Sequence, residues 1–366
     1  MGTAWRNTNE RALPGVEMDN SLLIVVKDLS DNTVGRAHCL WLIANELGWE
    51  THVVSLTGKG VWAPLASTEF AGCCHRAKDV DELCRYAKKS SLIIAAKPLP
   101  TSFGTAMMAA NTTGVPLLLD IDDPDLEFGL SWSPIWLALL FRVVAPRTIH
   151  DFKWMASMIP QYVTTASNPT LAKRYDSHLV PHVRPDTGVG ESSSNNDVVF
   201  AGTPRRHKGI AQLRRAIGAI ARESRPRLVV TAPAPRDAHP WEQWVGPTSM
   251  EVGLGLVAKA SMVVVPSLDT VYSQGQLPVK IVDAMMLGTP VVASDLPPIR
   301  WALDDGRCGT LVTPGDPDAL RKAIMAVLTD DRAREKAHCA RARALEMFTP
   351  ASQMESLRQA YRAAAH

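Results

Sequence analysis

Two spacings of apolar positions alternate along this chain. Short, β-branched runs of buried-strand length recur at Ser21–Lys27, Thr51–Leu56, Ser91–Ala96 and Val115–Asp120. Between the first two, a polar loop over Asp28–Arg36 gives way to helical spacing over Ala37–Leu47, with Gly48 where a helix-ending glycine belongs. Strand, helix and strand in so few residues predict a βαβ unit, and repetition of that unit predicts a parallel sheet flanked by helices. The stretch Pro134–Ile159, rich in Trp and Met, reads as helical with a break at Pro146 and leads on through Tyr162–Thr165. Glu191–Asp197 contains no apolar residue and reads as a linker.

The second half repeats the grammar. Strands are expected at Val198–Ala201, Arg227–Thr231, Ser261–Val265, Pro290–Ser294 and Thr310–Thr313, with one face of a helix marked by Ile210, Leu213, Ile217 and Ile220. Asp316 as cap and Pro317 in the first turn open a further helix running to Thr329. Ala351–Ala365 carries Met354, Leu357 and Tyr361 at helical spacing. The pattern predicts an α/β protein of two Rossmann-like domains, 1–190 and 191–350, their parallel sheets facing across a cleft, with a final helix over 351–366. Ligands of such sheets bind beyond the carboxyl ends of the strands.

Composition narrows the classes. The 366 residues suit about two domains at ~150 residues each. At 46% hydrophobic and 21% charged the chain is ordinary globular material. Lys plus Arg is 39 and Asp plus Glu 37, and the difference of +2 argues against nucleic acid as main partner. The apolar run Ile135–Phe141 stops at Arg142, far short of the ~18 residues of a membrane span, and the polar MGTAWRNTNE start does not read as a signal peptide. Six Cys without a CxxC pair, Cys73 and Cys74 being adjacent, suggest neither zinc nor a disulfide scaffold, hence a reduced, cytoplasmic protein.

Two segments carry the chemistry. In Val198–Ile210 (VVFAGTPRRHKGI) a strand ends at Gly202 and a helix opens at Gly209, with Arg205, Arg206, His207 and Lys208 between them. Cations at a helix mouth suit a diphosphate, although a solvated basic turn fits the charge equally. In Gln274–Asp295 (QGQLPVKIVDAMMLGTPVVASD) a polar loop precedes a helix with Lys280 in its first turn and Asp283 three residues on, a spacing that also fits a plain surface ion pair.

Together these segments resemble the retaining GT-B glycosyltransferases of family 4, enzymes that use nucleotide sugars. The family's G-R-x-x-x-x-K-G stretch is met at Gly202, Lys208 and Gly209, its Arg falling on Thr203 here with Arg205, then Arg206, as substitutes. Its E-x7-E pattern places Gly275 at the first acid and Asp283 at the second. The resemblance implies that Lys208 and Arg205 stabilise a departing diphosphate and that Asp283 takes ribose hydroxyls. Gln274, Gly275, Gln276, Leu277, Pro278 and Lys280 would line the donor, Val245 and Gly246 would lie near the base, and Gly35 would approach the diphosphate. In Leu117–Pro124 (LLLDIDDP) Asp122 stands where relatives carry a sugar-facing His, and Asp123 matches the following Asp. The same aspartates also read as a metal site or as a structural turn, and as an Asp122 carboxylate the group could accept but not donate at neutral pH.

The implied activity is metal- and cofactor-free transfer from a nucleotide sugar, UDP being the expected base, to an acceptor left open between small molecule, lipid carrier, glycan and protein. A nucleotide-sugar-binding partner without turnover is the rival; a phosphatase-like hydrolase using Asp120 and Asp122 is a third reading. His150 reads as a structural or surface residue rather than a base. Trp132, Trp136 and Trp154, mixed with Arg142, Arg147 and Lys153, read as core, acceptor platform or peripheral membrane contact.

Overall fold

The computed structural model describes residues 21–130, 146–190, 196–330 and 332–366. The apolar runs become strands because each is covered on both faces. In the N-terminal domain these are β1 (Ser21–Val25), β2 (Glu50–Ser55), β3 (Cys74–Arg76), β4 (Leu92–Ala96), β5 (Leu117–Ile121), β6 (Val163–Ala166) and β7 (His178–Leu179), in the order β3-β2-β1-β4-β5-β6-β7. The C-terminal domain holds β8 (Asp197–Phe200), β9 (Arg227–Val230), β10 (Glu242–Trp244), β11 (Met262–Val265), β12 (Val291–Ser294) and β13 (Thr310–Val312), in the order β10-β9-β8-β11-β12-β13. Every strand pair is parallel. In both sheets the strand order reverses once, between β1 and β4 and between β8 and β11. The carboxyl ends at those two points are where a ligand has room to enter.

Each sheet is sealed by two apolar layers, one per face. The last helix, Met354–Ala365, buries Leu357, Ala360 and Tyr361 in the layer that also holds Leu22, Ile24 and Leu40 of the N-terminal domain. The Tyr361 ring stands edge-on to Trp49 at 5.5 Å. Just before it, Phe348 lies in the C-terminal core, and its carbonyl accepts a 2.8 Å bond from the Arg184 amide. The domains are therefore tied twice, through the 180–190 segment and through the chain entering the last helix.

The structure alters the sequence reading in several places. The first helix spans Val34–Glu46 and so begins three residues earlier than Ala37, which puts Gly35 and Arg36 in its first turn. A helix starts at Pro146, whose missing N–H is no loss in the first turn, and runs to Met158; the part of the expected helix before Pro146 falls outside the described residues. Trp132, Trp136, Arg142, the run Ile135–Phe141, the MGTAWRNTNE start, residues 191–195 of the linker and the Arg147 side chain lie outside what is described. Lys153 and Trp154 are exposed on that helix, as is His150. Among the described residues no helix is long and apolar enough to cross a membrane.

The fully reduced chain is the expectation that fails. Cys308 and Cys339 form a disulfide, because the helix Arg332–Met347 is laid against the turn before β13 with the two Cα atoms 5.0 Å apart. Their separation of 31 residues is no motif, and only the tertiary fold pairs them. Cys39, Cys73, Cys74 and Cys84 are free thiols. Titration with a thiol reagent in denaturant is expected to find four thiols before reduction and six after. Six before reduction would remove the bridge.

Candidate functional site

The C-terminal half of the site is a turn that only glycines allow. After β8 the chain passes Gly202 at φ +146° and reaches Gly209 at φ +69°, where a Cβ would sit 1.8 Å from the Pro266 carbonyl oxygen. Gly209 therefore lets this loop press against the end of β11, at the reversal point of the sheet. The Gly202 amide donates to Thr231 Oγ1 at 2.7 Å, and its Cα side faces Lys208 Nζ. Lys208 is drawn into a small pocket with Ser267, Gln276, Pro278 and Lys280. Burial, then the charges of Arg205 and Lys280, push its pKa down to about 8. Among the described residues no carboxylate pairs with it, and the Asp123 charge offsets the push only in part. Arg205, Arg206 and Thr203 stay exposed at the rim.

His207 packs its ring on Tyr272 with centroids 5.1 Å apart, and its Nε2 is buried without a hydrogen-bond partner among the described residues. Burial and the cations Lys208 and Arg205 lower its pKa, so the ring is neutral near pH 7.

The helix Val279–Leu287 presents the other cluster. Asp283 is 2% exposed, and its oxygens are engaged by Arg184 Nε at 2.7 Å and Lys280 Nζ at 3.2 Å. Burial would raise its pKa, but the two cations outweigh that and hold it below the usual carboxylate range. Leu277 turns its side chain into the core, so it offers a ligand only backbone. Gln274 bonds Asp269 at 2.6 Å. The Val245 and Gly246 amides pair with the carbonyls of Val230 and Ala232, extending the β9 edge. In the other domain the Gly35 amide pairs with the Asn32 carbonyl at 3.1 Å.

Facing Lys208 from the N-terminal domain is a cluster whose central cation sequence reading missed. Lys97 follows β4 directly, at φ +77°, an uncommon and costly conformation for a lysine. Its Nζ lies 2.9 Å from Asp122, 2.7 Å from Asp123 and 2.9 Å from Asp125. These three carboxylates could hold a metal by spacing alone, but the ammonium already sits among them. Burial pushes Asp122 up to about 7, with Asp123, Asp125 and Asp120 adding to the rise and Lys97 opposing it. The expectation that Asp122 could not donate at neutral pH therefore changes, because a carboxyl half-protonated near pH 7 can. Asp123 goes the other way, to about 2, because Lys97 and its bonds to Gln276 and Tyr272 outweigh burial.

Asp120 is committed elsewhere. It is fully buried and receives Arg36 at 2.8 and 2.7 Å and Thr165 at 2.7 Å, while Arg36 also donates to the carbonyls of Val180 and Pro181. A carboxylate so occupied is no nucleophile, which removes the phosphatase-like reading. The signals for these contacts were faint. Lys97 is one charge closing an apolar run, and Asn168–Pro169 is an ordinary helix-cap pair. Nothing local marks Arg184.

The two halves meet. Gln276 donates to Asp123 at 2.8 Å, and Asn168, whose Oδ1 caps the helix Pro169–Tyr175, donates through Nδ2 to the Gly275 carbonyl at 2.9 Å. A Cβ on Gly275 would press on Pro124 at 3.1 Å and Leu171 at 3.2 Å. Lys208, Lys280, Gln276 and Asp123 thus converge between the domains, whereas Asp283 lies behind Lys280.

The known proteins this chain is similar to divide by region. Residues 195–330 match the family described as Glycosyl transferases group 1. A phosphatidyl-myo-inositol mannosyltransferase of Mycobacterium leprae is 47% identical over 68 residues, 19% of this chain and 18% of that protein. One of Mycolicibacterium smegmatis is 46% identical over 54 residues, 15% of this chain and 14% of that protein. The chain thus aligns with under a fifth of the length of these curated relatives. Whole-chain similarity is structural. HepE of Anabaena, solved with UDP-glucose, superposes with a TM-score of 0.73 at 15% identity, over 93% of this chain and 99% of that one. Sucrose-phosphate synthase of Thermosynechococcus elongatus gives 0.69 at 15% identity, over 94% and 98%. The fold is GT-B.

Proposed function

We propose that this chain is a retaining, family 4-type glycosyltransferase that moves a sugar from a UDP-sugar, bound between the domains, to an acceptor on the N-terminal side. The observation that carries this reading is the half-buried Lys208 on its glycine-bounded turn, crowded by Arg205 and Lys280 and opposite a polar wall from the other domain. The glycosyltransferase match over residues 195–330 covers that turn, and the UDP-glucose in the HepE structure, which shares this fold, supports UDP as the base to test first.

In the proposed reaction the bond from sugar to diphosphate loosens first. Lys208, with Arg205 at the rim, meets the charge growing on the departing phosphate. The leaving oxygen then takes the acceptor proton on the same face, so that no separate base is needed. No metal is invoked, since Lys97 supplies the positive charge inside the aspartate cluster. One observation favours the rival, a binding partner without turnover: the Gly275 backbone is spent on Asn168 and its side-chain space is closed.

Melting curves with UDP, GDP and TDP test the site. Nucleotide at 100 times Kd is expected to stabilise the fold by ~2.7 kcal/mol, with UDP the most effective. Diphosphate binding favours charged Lys208, so affinity should fall as pH rises above about 8, approaching tenfold per pH unit when one proton is taken up. No shift with any nucleotide would sink the assignment.

A further inference from the structure

Asp123 is the only described residue whose carboxylate touches Lys97 on its own domain and Gln276 on the other. It is 7% exposed and close enough to His207 and Lys208 to offset part of the lowering of both their pKa values. Tyr272 adds a hydroxyl near Gln276 Nε2 at 3.3 Å and a hydrogen bond to Asp123. A line of contacts therefore runs from the end of β4, at the reversal point of the first sheet, through Asp123 and Gln276 into the pocket that holds Lys208.

The backbone supports a purpose for this line. A lysine at φ +77° is retained only where its surroundings hold it, and Ser102 Oγ donates to the Lys97 carbonyl at 2.8 Å while the Lys97 amide donates to the Asp120 carbonyl at 2.9 Å. Those two bonds aim the ammonium inward at three carboxylates. Without it, Asp122, Asp123 and Asp125 would repel one another in a buried space, and one or more would take up a proton. A protonated Asp123 is a poorer acceptor for Gln276.

We propose that Lys97 is a positioning residue for donor use: it keeps Asp123 aimed at Gln276 and so holds the 274–278 loop, and with it the sugar end of the donor pocket, against the N-terminal domain. The proposal rests on the nucleotide-sugar reading above. It differs from a general packing role because it separates two ligands. UDP alone is held by the C-terminal turn around Lys208. The sugar must also fit between Gln276 and the aspartates.

The test compares Lys97→Met, Lys97→Arg, Asp123→Asn and Gln276→Ala with the native chain. In Lys97→Met and Asp123→Asn, kcat for UDP release from the nucleotide sugar is expected to fall by ~10–100-fold, the cost of a small misplacement at a reacting centre. KM for the sugar nucleotide should rise while the Kd for UDP changes less than about threefold, and Lys97→Arg should recover part of the loss. Gln276→Ala, on the other domain, should give the same split, which covers the case in which a cluster variant does not fold. Solution scattering reads the link without turnover: Asp123→Asn and Gln276→Ala should have larger radii of gyration than the native chain. Native kinetics and unchanged scattering in folded Asp123→Asn and Gln276→Ala would overturn the proposal. A native chain that binds no nucleotide, yet opens in these variants, would overturn the nucleotide-sugar reading and leave only the link between the domains.

Discussion

Lys208→Ala is expected to lower turnover by ~100-fold or more, with a smaller effect on KM. Removing one well-placed donor to a developing anion costs about 3–4 kcal/mol in comparable sites, and here the donor is a charged group in a small pocket. The substitution should not unfold the protein. Among the described residues Lys208 makes no ion pair, and its place among the cations Arg205 and Lys280 is unfavourable without a bound anion. The free variant should melt at the same temperature as the native chain or slightly above it, and should lose stabilisation by UDP. Kinetics and melting curves on one preparation check both halves. Native turnover in a folded variant would make Lys208 a bystander.

Asp120→Ala should have the largest effect on stability. Both members of the Arg36–Asp120 pair have fully buried side chains, and removing the acid leaves a guanidinium with two carbonyl partners and no directly paired carboxylate among the described residues. Such truncations cost about 3–5 kcal/mol. The pair joins the first helix, β5 and the 180–184 segment, so the loss should appear as a lower denaturant midpoint for the N-terminal sheet. Asp120→Asn keeps the shape and should cost less. Equal melting of native chain and Asp120→Ala would contradict the buried pair.

Much of the fold was legible because its strands are covered on both faces. Runs such as Leu92–Ala96 and Met262–Val265 are apolar throughout, and a fully buried parallel strand has to be. Of the four edge strands only Thr310–Val312 keeps an apolar signature; the other three do not. Cys74–Arg76, His178–Leu179 and Glu242–Trp244 pair along one side only, so polar residues are tolerated and the strands went unread. Asp316 and Pro317 announced their helix through local chemistry, and Asp316 does accept from Asp318 and Ala319.

The site divides in the same way. Lys208 and Gly209 belong to a compact turn whose spacing survives in sequence. Lys97 with Asp123, Arg184 with Asp283, and Cys308 with Cys339 are made by tertiary approach across 26, 99 and 31 residues. No periodicity encodes such approaches. Arg184 also changes what Asp283 offers, since its charge is now met from the neighbouring domain before any ribose arrives.

The central claim is transfer from a nucleotide sugar at the Lys208 turn. Its most direct measurement is release of free nucleoside diphosphate from a panel of UDP-, GDP- and TDP-sugars, with the native chain and Lys208→Ala in parallel. Release is expected from at least one donor, a UDP-sugar first, at a rate lower by ~100-fold or more in the variant. No release from any donor, or equal release by the two proteins, would contradict it.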